Sequence, residues 1–275
     1  MQVIRDLAAL RAATAARRAA GRRLALVPTM GALHDGHLAL VREARRHAEE
    51  VAVSIFVNPL QFLPTEDLSR YPRDDGGDLR KLATTGADFV WMPDVATMYP
   101  PGAATVIEVS GPAEGFEGTA RPGHFRGVAT VCTKLFSQTG ADAAVFGEKD
   151  WQQLQVVKRV VADLDLPIRI IPHETVRDAD GLAMSSRNIR LSPSERALAP
   201  LLPTLMRQAL DAIRDGAPAE TTLASTIENL RAAGFAPDYL SLVDAETLKP
   251  WTRGPGRLLA AAKLGDVRLL DNMGL

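Results

Sequence analysis

Two histidines three residues apart, His34 and His37, stand in the stretch PTMGALHDGHLALVREA at 28–44. If the segment is helical there, both side chains face one way. Gly36 between them has no side chain and lets a ligand approach the backbone, and Gly31 loosens the turn after the preceding apolar run. An imidazole donates to phosphate oxygens and gains charge near neutral pH. The unpaired N–H groups of a helix start attract anions as well. The chemistry expected here is the holding of phosphate. Two other readings compete with it: a two-histidine metal site, and two unrelated surface histidines. Zinc needs further ligands, and neither a cysteine pair nor HExxH stands nearby.

Further polar clusters add to that reading. In FGEKD (146–150), Gly147 permits a tight turn, Lys149 supplies a point charge suited to phosphate, and Asp150 could hold a metal ion or receive a hydroxyl. Alone it reads as a solvated turn with a surface ion pair. MSSRN (184–188) offers two hydroxyls and a guanidinium to phosphate oxygens, and follows DADG like a mobile lid segment. Alone it reads as a capping loop. Gln61 in NPLQF and Gln153 after FGEKD carry neutral amides, which grip a hydroxyl or carboxylate without adding charge. Position is the only argument for these two. Glu117 and RPGHF (121–125) fall in a Gly-rich stretch, 115–127, too irregular for a core element. The sequence contains no P-loop, no G-x-G-x-x-G and no G-x-S-x-G. Cys132 sits among Val128, Val131 and Leu135 at helical spacing and reads as core.

The elements that must position these residues follow from periodicity. Strands are expected at 24–27, 51–57, 88–92, 143–147 and 168–171, and helices at 3–20, 37–50, 78–85 and 151–163. The first helix would place Ile4, Leu7, Ala8 and Leu10 on its apolar side. Strand–helix alternation of this kind argues for a doubly wound parallel sheet, whose ligands bind at the strands' C-terminal edge. After about residue 176 the order becomes helices (194–214, 219–233) and then strands (238–243, 257–264, 267–270), a smaller α+β domain. Ser192 and Glu195 stand at capping-box spacing. The expected division is therefore 1–175 and 176–275.

Composition bounds the partners. The chain has 275 residues, is 46% hydrophobic, and balances 32 Lys and Arg against 33 Asp and Glu. A net charge of -1 lacks the basic excess of a nucleic-acid binder. The single cysteine rules out an internal disulfide and fits the cytoplasm. No apolar run reaches membrane-spanning length. The first 23 residues are rich in Ala and Arg but contain no serine, and they read as part of the fold rather than a targeting peptide.

Taken in order, VPTMGALHDGH, SIFVNPLQF, YPRD, RPGHFRGVATV, VFGEKDWQQL, DGLAMSSRN and RLLDN resemble the pantothenate synthetase (pantoate–β-alanine ligase) family, from about residue 4 to 272. That family belongs to the nucleotidyl-transferring, Rossmann-like proteins with an H-x-G-H signature. The resemblance implies a Rossmann-like nucleotide- and pantoate-binding domain and a C-terminal lid domain. It implies condensation of pantoate with β-alanine through a pantoyl adenylate, with ATP as substrate, magnesium as cofactor, and AMP and pyrophosphate released. Carried onto this chain, Met30, Gly31, Ala32, Leu33, His34, Asp35, Gly36 and His37 line the ATP site, with His37 the proton donor and His34 on phosphate beside it. Gly147, Glu148, Lys149, Asp150, Val176, Met184, Ser185, Ser186 and Arg187 complete that site. Lys149, Ser185, Ser186 and Arg187 are counted with the two histidines as catalytic. Gln61 and Gln153 hold pantoate, and Gln61 also lies near β-alanine. Asn58, Glu117 and Arg121 match positions near the substrates. Asp78 and Asp150 are the metal candidates. Asp75-Gly76-Gly77-Asp78 departs from the family pattern, and Trp151 replaces its usual Tyr or Phe. The family is usually a cytoplasmic homodimer. Two rival functions remain at this point: a nucleotidyltransferase adenylylating a phosphate monoester, and a non-catalytic RNA-binding module on a synthetase-like fold. The two glutamines argue against the first and the neutral charge against the second.

Overall fold

The apolar runs of the first half become parallel strands because both of their faces are covered. In the computed structural model, which describes residues 1–62, 68 and 71–275, these are β1 (Gln2–Ile4), β2 (Leu24–Thr29), β3 (Glu50–Ile55), β4 (Phe89–Trp91), β5 (Ala143–Gly147) and β6 (Arg169–His173). They form one six-stranded sheet in the order β1-β4-β3-β2-β5-β6. Every pairing is parallel. The helices between them are α1 (Leu7–Ala19), α2 (Asp35–Ala44), α3 (Asp75–Ala83), α4 (Val95–Met98), α5 (Phe116–Ala120), α6 (His124–Thr139) and α7 (Trp151–Asp163). One face of the sheet (Val27, Val53, Val90, Val145) packs with Leu38 and Val41 of α2. The chain runs outward from β2 through β3 to β4, then returns to place β5 on the other side of β2. That reversal is the switch point at which open α/β sheets bind ligands, and β2 leads into the PTMGALHDGH segment.

The later elements are α8 (Pro193–Leu198), α9 (Leu201–Arg214), α10 (Ala219–Ala232), β7 (Ala236–Asp244), β8 (Gly256–Leu264) and β9 (Val267–Gly274). The three strands make an antiparallel sheet in sequence order. Leu202, Met206 and Leu210 of α9 and Leu230 of α10 pack with Leu242, Leu258 and Ala260 of that sheet. By contacts the chain forms two compact units, residues 1–147 with 152–173, and residues 148–151 with 174–275. The short turn 148–151 thus belongs with the C-terminal unit. Among the described residues no helix is long and apolar enough to cross a membrane.

Several local expectations need correcting, among them the helix expected over 37–50, which ends at Ala44. The helix expected over 3–20 begins only at Leu7, where Asp6 caps it by accepting from the Ala9 amide at 2.9 Å. Ile4, placed on that helix, instead lies in β1 and pairs with Trp91. Pairing with β4 there outweighs the weak helical pattern. The helix expected over 194–214 is two helices, with Pro200 as the cap residue of the second. Proline cannot supply an interior amide and starts a helix better than it continues one. The stretch 115–127, read as irregular, contains α5 and the start of α6. The left-handed Gly123, φ 83°, turns the chain into α6.

Candidate active site

The segment after β2 is built from backbone donors. Thr29 donates its hydroxyl to the Ser54 carbonyl at 2.7 Å and accepts from the Gly31 amide at 3.2 Å. Gly31 and Ala32 are both left-handed, φ 81° and 52°. Such a turn costs energy at alanine and persists only where its surroundings hold it. Asp78, 1% exposed, does the holding. One carboxylate oxygen accepts from the Ala32 amide and the other from the Leu33 amide, each at 2.8 Å. Lys81 adds a bond from its ammonium to the Leu33 carbonyl at 2.5 Å. Burial pushes the Asp78 carboxyl above its ordinary range, against the pull of the two amides and of Lys81. With both oxygens engaged, Asp78 has the geometry of a loop clamp, not of the metal ligand expected from the sequence. The Gly77 departure has a local cause. Asp74 caps α3 by accepting from the Gly77 amide at 2.8 Å, and a Cβ at Gly77 would meet that carboxylate.

His34 is the cap residue of α2 and His37 lies in its first turn. Their rings are 4.1 Å apart and tilted by 45°. The His34 backbone amide donates to His37 Nδ1 at 3.3 Å. An accepting Nδ1 leaves the proton of the neutral ring on Nε2. The neutral His37 ring therefore carries its N–H on Nε2, a donor of the kind a phosphate oxygen accepts.

In the same unit the structure brings Met30, Asn58, Gln61 and Arg121 together. Gln61 directs its amide nitrogen to the Met30 sulfur at 2.9 Å. Asn58 donates to Gln61 Oε1 at 3.0 Å. The Gln61 carbonyl accepts from Arg121 at 3.3 Å and contacts His124 Nδ1 at 3.0 Å. Glu117 is buried, and its amide donates to Gln152 Oε1 at 3.0 Å. Gln152, passed over in the sequence in favour of half-buried Gln153, also donates to the Pro112 and Glu114 carbonyls, both at 3.0 Å. It ties the Gly-rich stretch down. Two adjacent glutamines look alike in sequence, and only the orientation of α7 separates them.

In the C-terminal unit, Glu148, Lys149 and Asp150 form one 3-10 turn. The Asn272 side chain donates to the Glu148 and Lys149 carbonyls at 2.9 and 2.7 Å. Arg257 bonds Glu148 at 2.9 Å and lies 3.7 Å over the Trp151 ring. Lys149 lines a cavity with Ser185, Arg187, Asn188 and Arg268. Ser186 is half-buried beside them. Val176, eight residues before Met184, accepts from the Met184 amide at 3.0 Å. That hairpin is held by Arg177, which bonds both oxygens of buried Asp271 at 2.7 and 2.8 Å. RLLDN was legible as a stretch, but the anchoring roles of Asp271 and Asn272 were not.

Among the described residues no three His, Cys, Asp or Glu side chains cluster as a metal cage. The Asp150 carboxylate is half-exposed and 3.5 Å from the Lys149 ammonium. This donor set suits an ion that arrives on phosphates and keeps most of its ligands from phosphate and water, as magnesium does.

Comparison with known proteins identifies the family. The profile of the family described as Pantoate-beta-alanine ligase matches residues 2–274. The chain is 56% identical to a pantothenate synthetase of Acidiphilium cryptum over 278 residues, covering 100% of both. It is 55% identical to that of Rhizorhabdus wittichii, covering 100% of this chain and 99% of the other. The solved pantothenate synthetase of Thermus thermophilus superposes with a TM-score of 0.92 at 45% identity, covering 99% of each chain. The pantoate-beta-alanine ligase of Francisella tularensis, described as complexed with Beta-gamma ATP and Beta-alanine, superposes with a TM-score of 0.80 at 30% identity, over 99% of this chain and 97% of that one. A six-stranded parallel sheet with H-x-G-H after its second strand, a three-stranded antiparallel sheet, and similarity along the whole length together place this chain in the pantoate–β-alanine ligase family, the pantothenate synthetases.

Proposed function

We propose that this chain joins pantoate to β-alanine at the expense of ATP, releasing AMP and pyrophosphate. A pantoate carboxylate oxygen bonds to the α-phosphorus as the bond to pyrophosphate breaks. The β-alanine amine then bonds to the acyl carbon, AMP leaves with the electron pair, and the amine gives up a proton. The observation that supports this reading is the clamped 30–37 segment: Asp78 holds the Ala32 and Leu33 amides and so fixes the turn that leads into the start of α2, where His34 and His37 stand side by side. Preplaced donors stabilise the transition state without reorganising. Met30 to His37 take the nucleotide, with Gly147 to Asp150, Val176, and Met184 to Arg187. Lys149, Ser185, Ser186 and Arg187 balance phosphate charge. Gln61 and Gln153 hold pantoate, Gln61 also faces β-alanine, and Asn58, Glu117 and Arg121 border the substrates. The C-terminal residues serve as a lid that keeps water from the adenylate. Magnesium, when bound on the phosphates with Asp150 as its protein carboxylate, neutralises pyrophosphate charge. The working form is a cytoplasmic homodimer.

Purified protein incubated with ATP, magnesium, pantoate and β-alanine tests the proposal. AMP release should require both organic substrates. Release of ADP, or AMP formation independent of pantoate, would overturn it.

A further inference from the structure

Asn58 and Gln61 sit in a network whose polarity the backbone decides. The Asn58 side-chain oxygen accepts from the Leu60 amide at 3.2 Å, and its nitrogen donates to the Gly127 carbonyl at 3.0 Å. An amide N–H only donates and a carbonyl only accepts. Turned over, the Asn58 side chain would set donor against donor and acceptor against acceptor. Its orientation is therefore fixed, and with it that of Gln61, whose oxygen must take the Asn58 N–H at 3.0 Å. Gln61 is left presenting its NH2 beside Met30. The group it can hold is an acceptor: a carboxylate, a carbonyl or the oxygen of a hydroxyl.

One side chain enforces this from outside. Tyr99 donates its hydroxyl to the Asn58 oxygen at 2.8 Å, the shortest bond that oxygen makes. Burial pushes the Tyr99 phenol above its ordinary range, so it is an O–H donor across the working pH range. Its ring lies 6.1 Å from Phe56 and 5.9 Å from the Lys134 ammonium. Asn58 is 1% exposed and Gln61 8%, so no bulk water replaces the phenol.

We infer that Tyr99 is a positioning residue for the acid substrate. Through Asn58 it holds the Gln61 amide with its N–H groups toward the ligand. The inference rests on the reading of Gln61 as a pantoate holder.

The test compares Tyr99→Phe, Gln61→Ala and the double variant. Pantoate binding is followed by calorimetry, KM values are measured for each substrate, and a thermal melt serves as control. Phe keeps the ring packing and removes one neutral hydrogen bond. Tyr99→Phe should weaken pantoate binding and raise its KM by about three- to tenfold. The KM for ATP should stay within about twofold and the melt should be close to wild type. In the Gln61→Ala background the Tyr99 change should have no further effect, because the group it orients is gone. Additive losses, an equal loss for every substrate, or unchanged pantoate binding in Tyr99→Phe while Gln61→Ala weakens it would each overturn the relay. Unchanged pantoate binding in Gln61→Ala would overturn the reading of Gln61 itself, and the relay with it.

Discussion

At the scale of single residues the site depends on who holds the donors. His37 and Lys149 are the groups expected to meet phosphate, and each replaced by alanine should lower kcat by about 10²–10³-fold, the size of one lost transition-state contact. Near-normal turnover in both would contradict their roles. Asp78 acts one step back. In Asp78→Asn one oxygen still accepts, but the new NH2 faces the second amide as donor against donor. The lost charge-assisted bond and the mismatch should weaken ATP binding by about 2 kcal/mol, read as a rise in KM for ATP. The histidines were legible from their spacing. Asp78 was legible as an acid but not as a clamp, because its partner amide is 45 positions away in the chain. Cys132 behaves as its apolar neighbours suggested. Burial pushes its thiol up to about 12, so it should resist a thiol reagent at pH 8 and react once the protein is unfolded in urea.

Among elements, α6 packs tightly against the 59–61 turn. A Cβ at Gly127 would stand 2.3 Å from the Leu60 carbonyl oxygen and 2.6 Å from the Gln61 amide. These are backbone atoms and cannot swing aside. Gly127→Ala should therefore move the turn that carries Gln61 and destabilise the protein by about 1–3 kcal/mol, together with a higher KM for pantoate. Urea titration and substrate kinetics check both halves. In the second unit the hairpin around Val176 and Met184 hangs on Arg177. Arg177→Ala leaves Asp271, 2% exposed at its side chain, without its cation, and should cost about 3 kcal/mol. Denaturant unfolding of the two proteins measures this. The helices and strands near these points were largely legible because apolar period reports which face is covered. Their ends were not. Asp6 stops α1 short of Ile4, and Pro200 divides a helix that continuous periodicity would have joined.

For the whole molecule, the proposed homodimer predicts a particle of twice the 29.6 kDa chain mass in light scattering at micromolar concentration. A monomer would refute that part of the proposal. The assignment of residues 148–151 to the C-terminal unit bears on Lys149. Its carbonyl and that of Glu148 are bonded by Asn272, from the last strand of the chain. Neither composition nor motif order announces that a turn following β5 is anchored by β9.

Residue types and their spacing were enough to establish the chemistry available: two histidines with a glycine between them, FGEKD, MSSRN, two glutamines, and strand–helix alternation that builds a parallel sheet. Those are local facts, carried by residue type and by period. Which polar atoms each side chain presents, and which it uses up, was settled only by folding. Hydrogen-bond direction passes between residues distant in sequence, from the Ala32 and Leu33 amides to Asp78, from Tyr99 through Asn58 to Gln61, and from Asn272 to the Lys149 carbonyl. An amide side chain has no preferred direction of its own. The backbone groups brought beside it by folding supply one.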